Sequence, residues 1–314
     1  MRIFLQSRHR YPASAGGPGG GRVFDFLAKG LAELGHEVLY YLEGNPGGRP
    51  PANITFVDHL VEDADIYHLR SDSELWRVLE HRQRPWVATC HTDLAVHGRP
   101  REVAHRNWIY VSQSLARTYG SRRFVHNGID PAQFVYSERK QEYLLFVSAL
   151  PLALRKGLEL AIATARATGV KLYVAGSAED TKLVAQIRRR CRGPGVCYLG
   201  EIGGREKTEF FANARALIFP TQINEAFGLV LAEAMVSGTP VICSGNGACP
   251  ELVTGDVGFI CHSQKDYEAA VERVGAIVPA ACRAKAIQDY HYLRMAKDYV
   301  REYEFEIERS VSKV

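Results

Sequence analysis

Two carboxylates, Glu225 and Glu233, stand eight residues apart in the run Asn224-Glu225-Ala226-Phe227-Gly228-Leu229-Val230-Leu231-Ala232-Glu233-Ala234-Met235. Gly228 lies between them, followed by an apolar run that reads as the start of a helix. Residues 216–220, Ala-Leu-Ile-Phe-Pro, come just before and read as a strand. A strand, a loop bearing a carboxylate and a buried helix N-terminus can together hold an anion. The first-turn N–H groups have no intrahelical acceptor, and the helix dipole is positive at that end. The N–H groups of Gly228, Leu229 and Val230 would then face a phosphate. Glu225, in the loop, could accept from a sugar hydroxyl, and Glu233, further along the helix, from a second. A capped helix with two solvated acids has the same spacing, so the neighbouring motifs carry the decision.

Four other places have side chains suited to chemistry. Residues 12–21, between the first strand and first helix, are rich in glycine, which lets backbone approach a ligand closely at a helix N-terminus. A flexible loop is the alternative. The G-x-G-x-x-G spacing of dinucleotide sites is absent, because Gly17 and Gly19 are followed by Arg22. Leu154-Arg155-Lys156-Gly157-Leu158 follows the first strand of the second half and puts cations beside backbone donors, which suits a diphosphate. His91 follows an apolar strand, and sites form at the carboxyl ends of parallel strands. Asp63-Ala64-Asp65 has the look of a metal-holding D-x-D pair, but it leads into the buried strand pattern 66–69. It is expected to cap the start of a strand and to bind no metal.

The paired glutamates, with the strand before them and the glycine between, resemble the E-x7-E motif of retaining glycosyltransferases of the GT-B fold, glycosyltransferase family 4. The resemblance implies that Glu225 holds the donor sugar and Glu233 the ribose of the nucleotide, with Ala226, Phe227, Gly228, Leu229 and Val230 on the donor. It implies a Gly-Gly pair on the donor diphosphate and acceptor, either Gly19-Gly20 or Gly16-Gly17. It places His91 against the donor sugar near the reacting carbon, Lys156 on the diphosphate, and the strand end Leu199-Gly200 near the base. Asn127-Gly128-Ile129-Asp130 resembles the family's N-G-[VI]-D segment at the domain junction. Ser244 to Val253 resembles its G-G-x-x-E-[IV]-V loop, with Glu251 supporting the loop. His36, in Gly35-His36-Glu37-Val38, resembles the family's G-H-E-V turn.

One position departs from the pattern. Ser148-Ala149-Leu150 stands where Gly-Arg-Leu is usual, and Arg155 is the candidate to replace the missing arginine from a different backbone position. The resemblance spans nearly the whole chain and is most specific over residues 216–258. It implies transfer from a nucleoside diphosphate sugar, most commonly a UDP-sugar, to a small-molecule or glycan acceptor with retention at the anomeric carbon. The departing phosphate oxygen would take the acceptor's proton. No cofactor and no metal are implied, since Lys156, Arg155 and a helix N-terminus meet the diphosphate charge. A nucleotide-sugar epimerase or a non-catalytic nucleotide-sugar-binding protein of the same fold is the alternative. An NAD-dependent oxidoreductase using the glycine loop and Glu43 is opposed by the broken glycine spacing and the paired glutamates.

The elements that must position these residues alternate strand and helix throughout, which argues for parallel sheets with crossover helices. Strands are expected at 2–7, 37–42, 54–57, 66–69, 86–89 and 108–111, and again at 143–148, 171–175, 196–199, 216–219, 241–243 and 258–261. Residues 21–34 have helical apolar spacing and end at Gly35. The fold class is therefore α/β, two Rossmann-like domains facing a cleft. Residues 1–136 are expected as an acceptor-side domain and 137–285 as the nucleotide-sugar domain. Residues 286–314 form a helix crossing back to the first domain, and a linker near 130–141 joins the two.

With 314 residues, 46% hydrophobic and 24% charged, the chain has ordinary globular composition. No run approaches the roughly 18 apolar residues of a membrane span, and Met1-Arg2-Ile3-Phe4-Leu5 turns polar too soon for a signal peptide. Seven cysteines without a C-x-x-C pair read as reduced thiols of a cytoplasmic protein. A net charge of +4 is too small to imply nucleic acid. The cluster Arg188-Arg189-Arg190-Cys191-Arg192 ends a predicted helix, as a solvated C-terminus or as a contact for an anionic membrane surface, a peripheral association.

Overall fold

The computed structural model describes residues 1–8, 10–13, 19–42, 47–101 and 105–312. It divides into two compact units, Met1–Asp130 with Tyr290–Val314, and Pro131–Asp289. Each is built on a six-stranded, wholly parallel sheet, so the expected pair of Rossmann-like domains is what the chain forms.

In the first unit the strands are β1 (Arg2–Ser7), β2 (Glu37–Leu42), β3 (Ile54–Val57), β4 (Ile66–Arg70), β5 (Trp86–Cys90) and β6 (Trp108–Tyr110). Their order in the sheet is β3-β2-β1-β4-β5-β6. In the second unit β7 (Gln141–Val147), β8 (Lys171–Ala175), β9 (Val196–Gly200), β10 (Ala214–Phe219), β11 (Val241–Ser244) and β12 (Gly258–Cys261) are ordered β12-β11-β10-β7-β8-β9. In both sheets the strand order reverses once, between β1 and β4 and between β7 and β10. Ligands of open α/β sheets bind outside the carboxyl ends of the strands at such a reversal. The central strands are apolar and buried on both faces, as parallel strands covered by helices must be. Every residue of β5 is buried.

Helix Gly19–Glu33 buries Val23, Phe24, Leu27 and Leu31, and starts two residues before the apolar spacing does. The stretch expected as a linker carries a short turn at Pro131–Gln133 and buries Phe134. The tail forms helices Pro279–Tyr290 and Tyr292–Val311. The latter lies on helix Gly19–Glu33 so closely that a Cβ on Gly30 would stand 2.8 Å from that of Ala296. Gly128 has the same constraint: a Cβ there would be 2.6 Å from Tyr292 Cα, and its N–H donates to Met295 Sδ at 2.9 Å. Tyr292 N–H donates to Ile129 O at 3.0 Å, which fixes the N-G-I-D segment against the tail.

Asp63 and Asp65 stand at the amino end of β4. Arg2 donates to Asp63 through its guanidinium and to Asp65 through its backbone N–H. All seven cysteines are free thiols. No helix among the described residues is long and apolar enough to cross a membrane.

Candidate functional site

In the second unit the chain leaves β7 through a short helix, Leu150–Ala153, and reaches Arg155, Lys156 and Gly157. Gly157 takes φ +85° and caps helix Leu158–Thr168. A Cβ there would lie 2.0 Å from Pro220 O, so only glycine lets this turn press against the chain leaving β10. Gln222 N–H donates to Arg155 O at 2.9 Å and ties the two segments together. The close approach brings Lys156 Nζ to 3.2 Å from Glu225 Oε2, across the sheet reversal. The ammonium also sits 5.2 Å from the centre of the Phe219 ring. Glu225 is 9% exposed, and its Oε2, though beside a cation, is buried without a well-aligned hydrogen-bond donor. Behind it, Ala248 N–H donates to Glu225 O at 2.9 Å.

Gly228 follows at φ +85° and caps helix Leu229–Val236, with Phe227 buried and Ala226, Leu229 and Val230 half-buried. The helix is apolar because it is packed on most sides. Glu233 is therefore buried at 1% exposure. It is neutralised by Lys207 Nζ, 2.9 Å away, from helix Gly204–Asn213. Sequence reasoning missed Lys207. Between Arg205 and Glu209 it reads as one more charge on a solvated helix face, and only the burial of Glu233 calls for it.

Lys156 and Glu225 are thus brought together, while Glu233 is held by a separate cation. Leu199 and Gly200 close β9, on the same carboxyl edge but with β8 between them and β7, about 10 Å away at ordinary strand spacing. Gly200 takes φ +83° and its carbonyl accepts from Gly176 N–H at 2.8 Å. Arg155 is exposed, and so is Ala149 at the departing position.

In the first unit Gly19 and Gly20 open the helix after β1, and a Cβ on Gly20 would meet nothing within 4 Å. Gly16, Gly17 and Glu43 lie outside the described residues. Asp25, further along the same helix, accepts from Ala13 N–H and from Tyr40 Oη, both at 2.7 Å. Burial raises its pKa to about 6 against these two stabilising bonds. His91 follows β5, one strand beyond β4, with its ring 5.3 Å from that of Phe24. Its edge reaches the surface, but the ring is densely surrounded, and this burial lowers its pKa to about 3. The Arg70 cation adds to the effect and Asp72 opposes it. His91 is therefore neutral near pH 7, and its Nε2 is buried without a hydrogen-bond partner. His68, in β4, is structural: its Nδ1 lies 2.6 Å from Tyr303 Oη and its Nε2 2.6 Å from Thr89 Oγ1.

A sequence model of the family described as glycosyl transferases group 1 matches residues 131–289. The O-antigen chain mannosyltransferase B of Escherichia coli is 37% identical over 82 residues, which is 26% of this chain and 21% of that protein. Across the curated relatives the matched part spans between 18% and 51% of the relative's own length. Among solved structures, a glycosyltransferase involved in avilamycin A biosynthesis is 25% identical, with a TM-score of 0.78 and 98% of both chains covered. HepE of Anabaena, in complex with UDP and glucose, is 18% identical with a TM-score of 0.72, covering 97% of this chain and 99% of that one.

Proposed function

We propose that this chain, which belongs to the group 1 glycosyl transferases, moves a sugar from a nucleoside diphosphate sugar to a hydroxyl of a small-molecule or glycan acceptor, with retention, as a family 4 enzyme does. Its GT-B fold supplies a Rossmann-like nucleotide-sugar unit, Pro131–Asp289, and an acceptor-side unit closed by the tail helix. The observation that carries the reading is the Lys156–Glu225 pair at the reversal of the second sheet, beside the glycine-capped helix N-terminus at Gly228. HepE, a structural neighbour, holds UDP and glucose, which makes a UDP-sugar the first donor to try.

Each residue then has a task. Lys156 turns from Glu225 to the diphosphate, where charge grows as the bond between the anomeric carbon and the phosphate oxygen breaks. A preorganised cation and helix N–H groups aimed at that charge are the largest single term in many enzymes. Arg155 adds a second positive charge from the same turn. Glu225, released, accepts from sugar hydroxyls and orients the donor. Glu233, fixed by Lys207, accepts from the ribose. His91, held neutral, gives the sugar a hydrogen-bonding nitrogen without a charge. The new bond forms from the acceptor oxygen to the anomeric carbon on the face the phosphate leaves. The acceptor proton goes to the departing phosphate oxygen, so no side-chain base is required.

A second reading rests on one observation: Ala149 occupies the place of the family's arginine, which favours nucleotide-sugar binding without transfer. Incubation with UDP-, GDP- and ADP-sugars and a panel of acceptors, in excess EDTA, separates the two. Transfer in EDTA with the donor's anomeric configuration kept, read by proton NMR, is the expected result. An inverted product, or activity that only Mg²⁺ or Mn²⁺ restores, overturns the retaining, metal-independent mechanism, and binding without turnover supports the second reading.

A further inference from the structure

We propose that the acceptor carries an anionic group, a phosphate or a carboxylate, and that Arg8 and Arg70 clamp it at the reversal of the first sheet. The role as acceptor rests on the reading of this unit as the acceptor side. The anion site itself does not.

Arg8 follows β1 directly, Arg70 is the last residue of β4, and His91 follows β5. The three strands are neighbours, with β1 and β4 on either side of the reversal in strand order. The carboxyl ends of strands at such a point are where open α/β sheets take their ligands. Arg70 places Nε 3.0 Å from Asp72 Oδ1 and Nη2 3.1 Å from Oδ2, a two-pronged contact. Arg8 reaches the same Oδ2 with Nη1 at 2.9 Å. Two guanidiniums from two strands are thus gathered on one carboxylate. Burial opposes the charge on Asp72, and the guanidiniums of Arg70 and Arg8 outweigh it and lower its pKa. Asp72 is therefore ionised near pH 7 and holds the pair in place.

These contacts do not use up the donors. A guanidinium has five N–H groups and accepts nothing. Nη1 of Arg70 has no acceptor among the described residues, although the side chain is only 23% exposed. Arg8 meets Asp72 through a single nitrogen, and its side chain is 50% exposed, so a solute can reach the clamp. Fixed, positively charged and partly desolvated donors are best matched by an anion with several oxygens, since arginine engages carboxylate and phosphate with two prongs. A sugar hydroxyl would take one N–H and bring no charge. Gripped by its anionic group, an acceptor would have its reacting hydroxyl held in one place, and orientation of that kind lowers the barrier to transfer.

The test compares D-glucose 6-phosphate and D-glucuronate with D-glucose, by calorimetry and saturation-transfer NMR. It is run on Lys156→Ala, in which the proposed diphosphate contact is gone. At least one of the two anions should bind more tightly than glucose, and the tighter one tells phosphate from carboxylate. Adding Arg8→Gln, at a half-exposed position, should leave the melting temperature unchanged and weaken anion binding at least tenfold, the size of one charge-assisted hydrogen bond. Arg70→Lys, which keeps the charge and loses the fork, should weaken it as well. In otherwise wild-type protein Arg8→Gln should bind free UDP as before. Anions bound no better than glucose, or an affinity that Arg8→Gln leaves intact, overturns the proposal. So does UDP affinity that falls with anion affinity in Arg8→Gln, which would give the clamp to the donor. Transfer assays separate this inference from the proposed function. Equal transfer to neutral and anionic acceptors, insensitive to Arg8→Gln, refutes the clamp and leaves glycosyl transfer standing. Arg8-dependent anion binding without transfer to any acceptor leaves the anion site standing and refutes its role in transfer.

Discussion

Replacing His68 by glutamine should remove a measurable part of the first unit's acid sensitivity. His68 is fully buried, and burial, with His91 nearby, lowers its pKa from 6.5 to about 3. A depressed folded pKa means that the folded state holds the neutral ring. The stabilisation is present above the unfolded pKa of 6.5 and is lost as pH falls below it. The difference of about 3.5 units corresponds to ~5 kcal/mol in full, with ~1.4 kcal/mol lost per pH unit on the way down. His91 has the same shift and adds a second such slope. Asp25 acts in the opposite sense. Its pKa is raised to about 6, so the fold favours its protonated form, and stability is lost as pH rises through 6. Between pH 4 and 6 Asp25 offsets one of the two histidines, so these three groups together cost about 1.4 kcal/mol per unit of acidification, and His36, His105 and His291, whose pKa values burial also lowers, add to the slope in the same sense. His68→Gln should be shallower by ~1.4 kcal/mol per unit over that range, whatever it costs at pH 7. Glutamine can still serve Tyr303 Oη, and Thr89 keeps Tyr299 Oη at 2.7 Å. Trp76, Trp86 and Trp108, the chain's three tryptophans, all lie in the first unit. Urea unfolding followed by tryptophan fluorescence therefore reports that unit. A wild-type stability that does not change from pH 6 to pH 4.5, or a slope that His68→Gln leaves intact, refutes the reasoning.

Asp25→Asn should steepen the acid slope between pH 4 and 6 by ~1.4 kcal/mol per unit, since it removes the opposing group, as the same urea series will read. Lys156→Ala should lower transfer by about 10² or more. It should also destabilise the second unit by ~2–3 kcal/mol, below the range for a fully buried pair because Lys156 is 19% exposed. Adding Glu225→Gln should recover part of that stability, and additive losses in the double variant would show the two groups uncoupled. Glu233→Gln strands Lys207, so both melting temperature and affinity for free UDP should fall, while Glu233→Gln with Lys207→Met should restore the former only. A double variant that binds UDP as the wild type does would remove Glu233 from the nucleotide site.

The sequence was most legible where local patterning and burial coincide. β1, β2, β3, β8 and β12 have the bounds expected from the sequence, and β1 is buried beyond its first residue, as a parallel strand covered on both faces must be. Some ends differ where hydrogen bonding goes on without burial. β7 begins at Gln141, two residues before the apolar run. Gln141 and Glu142 are exposed, yet Gln141 pairs in register with Ala214. The helix after β1 begins at Gly19, two residues before the expected start, because glycines have no side chain to show periodicity to a reader of the sequence.

Long-range polar partnerships were the illegible part, and they decide what the site can do. Lys156 and Glu225 each had a motif, but neither motif says that they touch. The contact depends on β7 and β10 being neighbours and on a glycine at 157 that lets one turn lie on Pro220 O. His68 was placed correctly inside a strand, but its partner Tyr303 comes from the other end of the chain, in the tail helix Tyr292–Val311. Burial raises the energetic stakes of each such group, since an unpaired charge or hydroxyl is far more unfavourable inside than at the surface. The partnerships that sequence patterning could not show, Lys207 with Glu233 and Lys156 with Glu225, are therefore ones whose removal should be felt in stability as well as in turnover.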